Sequence, residues 1–321
     1  DRGVDRSVGW IVSSMWAAGS ENQGEHAERR IDGYEAVHHE EPAMHTPGGT
    51  DEEGTEREAT GTDGTPARET LEALAAGDIG VTEAESRLTG YATTAAGRFD
   101  ADRDRRRGIP EAVLAEGKRP VEAASLAATA LETTGRAIVT RATAEHAAAI
   151  RETVDADAPD ATVEHDEVTR TVVVHAAEYE PPSLDAQIAV VAAGTVDAPV
   201  AGEAAMIARE IGADVDQIRD VGVANLDRLL DQLGRIREAD VVVVAAGREG
   251  ALPTVVAGLV AAPVIAVPVA AGYGEGGDGS AALAGALQSC TVLTTVNVGA
   301  GFVAGAQAGL IARAIVGEDE S

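Results

Sequence analysis

Four stretches of this chain are apolar with almost no interruption: DAQIAVVAAGT (185–195), ADVVVVAAGREG (239–250), APVIAVPVAAG (262–272) and TVLTTVNVG (291–299). A strand with one wet face alternates polar and apolar residues, whereas a run without alternation buries both faces. Between these stretches lie PVAGEAAMIAREIGADV, QIRDVGVANLDRLLDQLGRI, ALPTVVAGLVA and SAALAGALQSC, which read as helices. Strand and helix in turn predict an α/β fold, with a C-terminal three-layer α/β/α domain on a parallel sheet. Ligands of such sheets bind beyond the carboxyl ends of the strands. Three turns rich in glycine, at 194–197, 247–250 and 272–277, are expected to meet there.

The pattern upstream is different. ARETLEALAAGDIGVTEAESRL (67–88) reads as two helices split at Gly77, the second entered through Thr82 as N-cap with Glu85 closing a capping box. A turn at Gly108-Ile109-Pro110, a short apolar piece, a turn at Gly117, a long Ala-rich helix and the strand RAIVTRA follow. TVEHDEVTRTVVVHA (162–176) alternates like a hairpin or edge strand. These make a small α+β domain over 67–180, and Pro181-Pro182 marks the joint to the domain over 181–321. Residues 1–66 lack apolar periodicity and are rich in Gly, Thr and Glu, so they are expected to be a disordered acidic leader. Because the chain opens on Asp1, part of that leader is expected not to be native.

Charge narrows the partners. The formal net charge is −29, and Lys118 is the only lysine. An acid-rich surface of this kind is expected to work in high salt, where counter-ions screen its self-repulsion. No basic face exists to neutralise phosphates of nucleic acid, so that class of partner is not expected. No run of 18 apolar residues occurs, and no membrane partner is expected. A single cysteine, Cys290, excludes an intramolecular disulfide and suits a reducing, cytoplasmic location. A lone cysteine is commonly a small buried hydrophobe, so Cys290 by itself reads as core or as nucleophile.

AGTVDAPVAGEAA, DVGVANLDRLL, AAGREGALPTVVAGLVAAPVIAVPVAAGYG and LQSCTVLTTVNVGAGF, with RRRGIPEAVLAEGK and IVTRAT upstream, together resemble the LarB family. The resemblance covers roughly residues 67–316, and the C-terminal half is also similar to aminoimidazole-ribonucleotide carboxylase. LarB enzymes are pyridinium-3,5-biscarboxylic acid mononucleotide synthases of nickel-pincer cofactor biosynthesis. The resemblance implies carboxylation of the pyridinium ring of nicotinic acid adenine dinucleotide at C5, with carbon dioxide or bicarbonate as co-substrate. It also implies hydrolysis of the phosphoanhydride to release AMP, Mg²⁺ as a cofactor held mainly by substrate phosphates, and a homo-oligomer, an octamer by family analogy.

A pyridinium ring is too electron-poor to attack carbon dioxide unless a nucleophile first adds at C4, and a group that must both add and leave suits a thiolate. The resemblance places that thiolate at Cys290 and the base that takes the C5 proton at Glu249, a role that asks for burial. All seven histidines lie at or before His175, so the C-terminal domain offers no imidazole for the task. Asp197 matches the acidic position of the related carboxylases' turn, where ribose or phosphate-linked groups bind, although an aspartate there is as often a turn or N-cap residue, and Thr195 beside it is expected to hydrogen-bond phosphate. Gly272 and Gly274 are expected to bring backbone N–H groups close to a nucleotide. Lys118, with Arg105, Arg106, Arg107 and Arg141, reads either as a phosphate clamp or as a set of salt bridges to Asp100, Asp102, Asp104 and Glu111.

The chain also departs from its family. Val196 stands where serine is usual and Arg248 where methionine is usual, while NVGAGFVAG replaces an Asn- and Asp-containing turn. Arg248 is expected to compensate by pairing with the ring carboxylate or a phosphate. Two other readings stand beside this one: a carboxylase of purine biosynthesis, against which the missing histidine, Cys290 and the N-terminal domain count, and a non-catalytic nucleotide-binding or assembly protein in which the missing polar residues mean lost activity.

Overall fold

In this computed structural model, residues 66–319 are described. The acidic leader, including its expected disorder and origin, lies outside them. The described residues form one compact unit.

The N-terminal lobe begins with α1 (Pro66–Ala76) and α2 (Val81–Thr89), then a hairpin of β1 (Ala92–Thr94) and β2 (Gly97–Phe99). The helices split at Gly77 as expected, but the N-cap of α2 is Gly80, two residues before Thr82, which does not cap it. Glu85 instead accepts the Thr93 N–H and hydroxyl, each at 2.8 Å, and ties α2 to the hairpin. After α3 (Arg103–Arg107) come β3 (Val113–Leu114), α4 (Pro120–Thr134), β4 (Arg136–Thr140), α5 (Ala144–Asp157), β5 (Thr162–Asp166) and β6 (Thr171–His175). The strands form one sheet in the order β3-β4-β6-β5, with β5 and β6 as the expected antiparallel hairpin. Ala-rich α4 and α5 cover this sheet and close a core around Ala127, Val139, Ile150 and Val172.

The C-terminal lobe runs β7 (Gln187–Ala192), a single 3₁₀ turn (Thr195–Asp197), α6 (Ala198–Ile211), β8 (Asp214–Ile218), α7 (Leu226–Arg237), β9 (Val241–Ala246), α8 (Ala251–Ala257), β10 (Val264–Pro268), α9 (Ser280–Leu287), β11 (Thr294–Thr295) and α10 (Gly301–Asp319). Its sheet is parallel throughout, ordered β11-β10-β9-β7-β8. The α/β architecture expected from the uninterrupted apolar runs is therefore the architecture observed, and β9 is buried at every residue. One correction concerns β8. DVDQI, read as the end of one helix and the start of the next, is a strand that pairs only with β7 at the sheet edge, where partial burial leaves its polar residues tolerated.

Helices α6 and α10 cover one face of the sheet, α7 and α8 the other. The α6–α10 pair is unusually close, since a side-chain carbon at Gly305 or Gly309 would meet Ala204, Ile207 or Ile211. The lobes are fused by an apolar cluster in which Ile138 and Val173 of the small sheet meet Met206, Ile207 and Ile211 of α6. Beside it, buried Arg136 donates to the Glu210 carbonyl at 2.5 Å and pairs with Asp104, while His175 stacks on Tyr179. Among the described residues, no helix is long and apolar enough to cross a membrane.

Candidate active site

A cleft of ≈ 510 Å³ opens at the carboxyl ends of β7, β8 and β9, roofed by the turn after β10. Its floor is apolar, from Ala193, Ala246 and Leu252, and its rim is charged. The turn after β7 supplies Thr195, Val196 and Asp197. Thr195 and Val196 are exposed at the rim, whereas Asp197 is only 6% exposed. Its Oδ2 accepts the Gly194 N–H at 2.8 Å. Burial pushes the Asp197 carboxyl above the usual aspartate range, opposed by the N–H groups of Gly194 and Gly247. Position 247 has little room for a side chain: a carbon there would lie 3.0 Å from the Val269 carbonyl and 3.5 Å from Asp197 Oδ1.

The turn after β9 supplies Arg248 and Glu249, both exposed and both lining the cleft. Arg248 has a left-handed backbone (φ 55°) and lays its guanidinium 4.6 Å from the Tyr273 ring centroid. The burial expected of a base is not provided to Glu249 within a single chain. Two residues that sequence reasoning missed complete the rim. Asp220, also left-handed (φ 59°), follows β8, and Arg228 reaches over from α7. Arg228 Nη1 donates to Asp220 Oδ1 at 2.7 Å, while its Nε is buried without a partner among the described residues. In the sequence, Arg228 is one more charge on an amphipathic helix. Only its place at the first turn of α7 aims it at the strand ends. Guanidinium groups, an exposed aromatic face and an apolar floor together suit a planar anionic ligand.

The other candidates lie apart from this cleft. Gly272 and Gly274 belong to the roof turn but do not line the cleft, where Ala271 and Tyr273 do. The Gly272 N–H is spent on the Gly277 carbonyl at 2.8 Å, so that loop bonds to itself. Lys118 donates to the Leu114 carbonyl at 2.7 Å, and Arg105 and Arg106 pair with Asp102 and Asp100. Cys290 is exposed, which excludes the buried-hydrophobe reading. It sits in the connection from α9 into β11 and is not among the cleft-lining residues. Its neighbours clasp that connection onto α8: Thr254 donates to the Ser289 hydroxyl at 3.0 Å, and Ser289 bonds Thr291 at 2.9 Å. Helix α9 in turn presses on the Glu249 turn, for a side-chain carbon at Gly285 would strike the Glu249 carbonyl, and one at Gly250 would lie 2.7 Å from that of Ala282. Cys290 and Glu249 thus hang from one rigid pair of short helices.

Among the described residues, no three His, Cys, Asp or Glu side chains converge as a metal site. These residues offer no cage for Mg²⁺, so a magnesium ion at this cleft would have to bring most of its ligands as phosphate oxygens and water.

Residues 91–177 match the LarB/PurE-like N-terminal domain, and residues 187–321 match the AIR carboxylase domain. The chain is also 32% identical over 253 residues to the uncharacterized protein MJ0165 of Methanocaldococcus jannaschii, covering 77% of this chain and 96% of that protein. With both domains present in order, and a relative matched over almost its whole length, the chain belongs to the LarB family, a LarB/PurE-like family of carboxylase type.

Proposed function

We propose that this protein carboxylates the pyridinium ring of nicotinic acid adenine dinucleotide at C5 and hydrolyses its phosphoanhydride, releasing AMP and pyridinium-3,5-biscarboxylic acid mononucleotide. The observation that carries this reading is the cleft at the strand ends, which combines a carboxylate, two arginines and an aromatic face.

The Cys290 thiolate forms a bond to C4, and the ring π-electrons move to make C5 an enamine carbon. C5 then forms a bond to carbon dioxide. Glu249 takes the C5 proton, the electron pair re-forms the aromatic ring, and the C4–S bond breaks to return the thiolate. Arg228 and Arg248 hold the anionic groups of the substrate, and Asp197 and Thr195 face its ribose. Water attacks phosphorus in the second reaction, and AMP leaves. Mg²⁺, held by phosphate oxygens and water, would supply charge neutralisation for this hydrolysis.

Because Cys290 lies outside the cleft of its own chain, the reading needs a second copy to bring a thiol to the ring. Helix α9 is apolar on all sides, and Leu287 and Val292, which flank the cysteine, are 65% and 97% exposed. A surface helix normally keeps a polar outer face, so this one fits a contact between copies, with an octamer as the expected assembly.

The reading is tested by incubating the protein with nicotinic acid adenine dinucleotide in the absence of bicarbonate and digesting it after borohydride quenching. The Cys290 peptide should gain the mass of the reduced ring nucleotide, and Cys290→Ala protein should gain none. An unmodified Cys290 peptide under conditions of full substrate binding contradicts the thiolate mechanism.

A further inference from the structure

A second cavity, of ≈ 440 Å³, lies between the lobes on the other side of the turn after β7. Val196 lines both cavities, and Ala270 and Ala271 line one each, so a single ridge of backbone separates them. Across this cavity the N-terminal lobe presents Arg141, just past β4, and Arg170, in the β5–β6 turn.

Both arginines have left-handed backbones, with φ of 54° and 56°. That region disfavours a side chain bearing Cβ, and Gly or Asn fills it at lower cost. Among the described residues the non-glycine positions with positive φ are Arg141, Arg170, Asp220 and Arg248. All four line one of the two cavities. Backbone strain kept at arginine, and kept only at cavity walls, points to side chains that are needed there.

Their hydrogen bonds leave capacity for a ligand. Arg170 donates Nε to the Ala142 carbonyl at 3.3 Å and Nη2 to the Arg141 carbonyl at 3.0 Å, with no partner for Nη1 among the described residues. Arg141 donates Nη2 to the Gly299 carbonyl at 3.0 Å and Nη1 to Glu116 at 2.8 Å. Glu116 is more than half exposed, and its carboxyl is held below the usual glutamate range by Arg141. An exposed carboxylate on an arginine is a weak partner that an incoming anion can displace. Buried Glu203 on the cavity floor, whose carboxyl is pushed up by burial, lies 3.9 Å from Arg141 Nε and is fixed there by the Phe302 N–H and the Thr140 hydroxyl, so it leaves the outer Nη face of Arg141 to Glu116.

We infer that the inter-lobe cavity holds a nucleotide phosphate between Arg141 and Arg170, with Glu116 as the carboxylate it displaces. The inference rests on the function proposed above: a dinucleotide laid across the Val196 ridge puts its reacting ring in the first cavity and its adenylate in the second.

The test is calorimetric binding of AMP, adenosine and inorganic phosphate to the full chain at fixed ionic strength. Arg170→Asn keeps a residue that tolerates the left-handed backbone and should weaken AMP binding about tenfold or more. Glu116→Gln, on the surface and outside the machinery proposed above, should tighten it about threefold by removing the competitor. Adenosine should bind far more weakly than AMP. AMP binding that neither substitution changes, or no AMP binding at all, overturns the inference, and so does inorganic phosphate that binds as tightly as AMP with the same variant dependence. Unchanged AMP binding in both variants beside a normal yield of carboxylated product removes this cavity assignment alone. Binding as expected without product removes the ring chemistry and leaves the cavity standing.

Discussion

Asp197 is a carboxylate that the fold buries at the cleft and surrounds with only two N–H groups. Because its folded-state proton affinity is raised, the folded protein binds more protons than the unfolded chain above the ordinary aspartate range. Stability linked to this group is present at low pH and falls as pH rises through the raised value. Asp197→Asn removes that loss, so its stability relative to the parent should grow from acid towards neutral pH, as measured by denaturant midpoints across a pH series. A relative stability that is flat or falls with pH contradicts the burial argument. Cys290 is the opposite case. Exposed, and held only through its neighbours Ser289 and Thr291, it can become serine with a change in stability within about 0.5 kcal/mol, while carboxylation is lost. Equal thermal midpoints with no product would separate chemistry from folding at this position.

Helices α8 and α9 decide whether Glu249 and Cys290 keep their places. Gly285→Ala puts a methyl against the Glu249 carbonyl, which cannot move without shifting the base. Overpacking of this kind costs about 1–3 kcal/mol, and the variant should lose turnover beyond what its lower melting point explains. A fully active, equally stable Gly285→Ala protein argues against the close packing. At this scale the sequence was informative where burial is two-sided: β7, β9 and β10 could be read from unbroken Val, Ile and Ala. It was uninformative at edges and surfaces. DVDQI was divided between the end of one helix and the start of the next because a half-buried edge strand lacks an unbroken apolar run, and the capping box at Thr82 failed because Glu85 was taken by the hairpin. Of the site, the strand-end turns with Thr195, Asp197, Arg248 and Glu249 were legible, since turn positions after buried strands follow from topology alone. Arg228 and the Arg141–Arg170 pair were not, because those side chains reach their cavities from other elements, by packing that no local pattern encodes.

The whole molecule carries two consequences. The stripe of Gly301, Gly305 and Gly309 is consumed inside the chain by α6, and the proposed contact between copies rests instead on the exposed Leu287 and Val292 beside Cys290. Val292→Asp paired with Leu287→Asp should give a folded protein of lower mass by light scattering and abolish carboxylation, because the thiol no longer reaches a neighbouring cleft. A variant of unchanged mass and activity contradicts the composite site. A net charge of −29 would also make recognition of the proposed anionic substrate a local matter of a few arginines set against a repulsive surface. The most direct measurement of the central claim is mass spectrometry of the products from nicotinic acid adenine dinucleotide, ¹³C-bicarbonate and Mg²⁺. The account predicts one labelled carboxyl on a pyridinium dicarboxylate mononucleotide, with one AMP per label, and neither from Cys290→Ala protein. AMP without label, or label that persists without the cysteine, contradicts it.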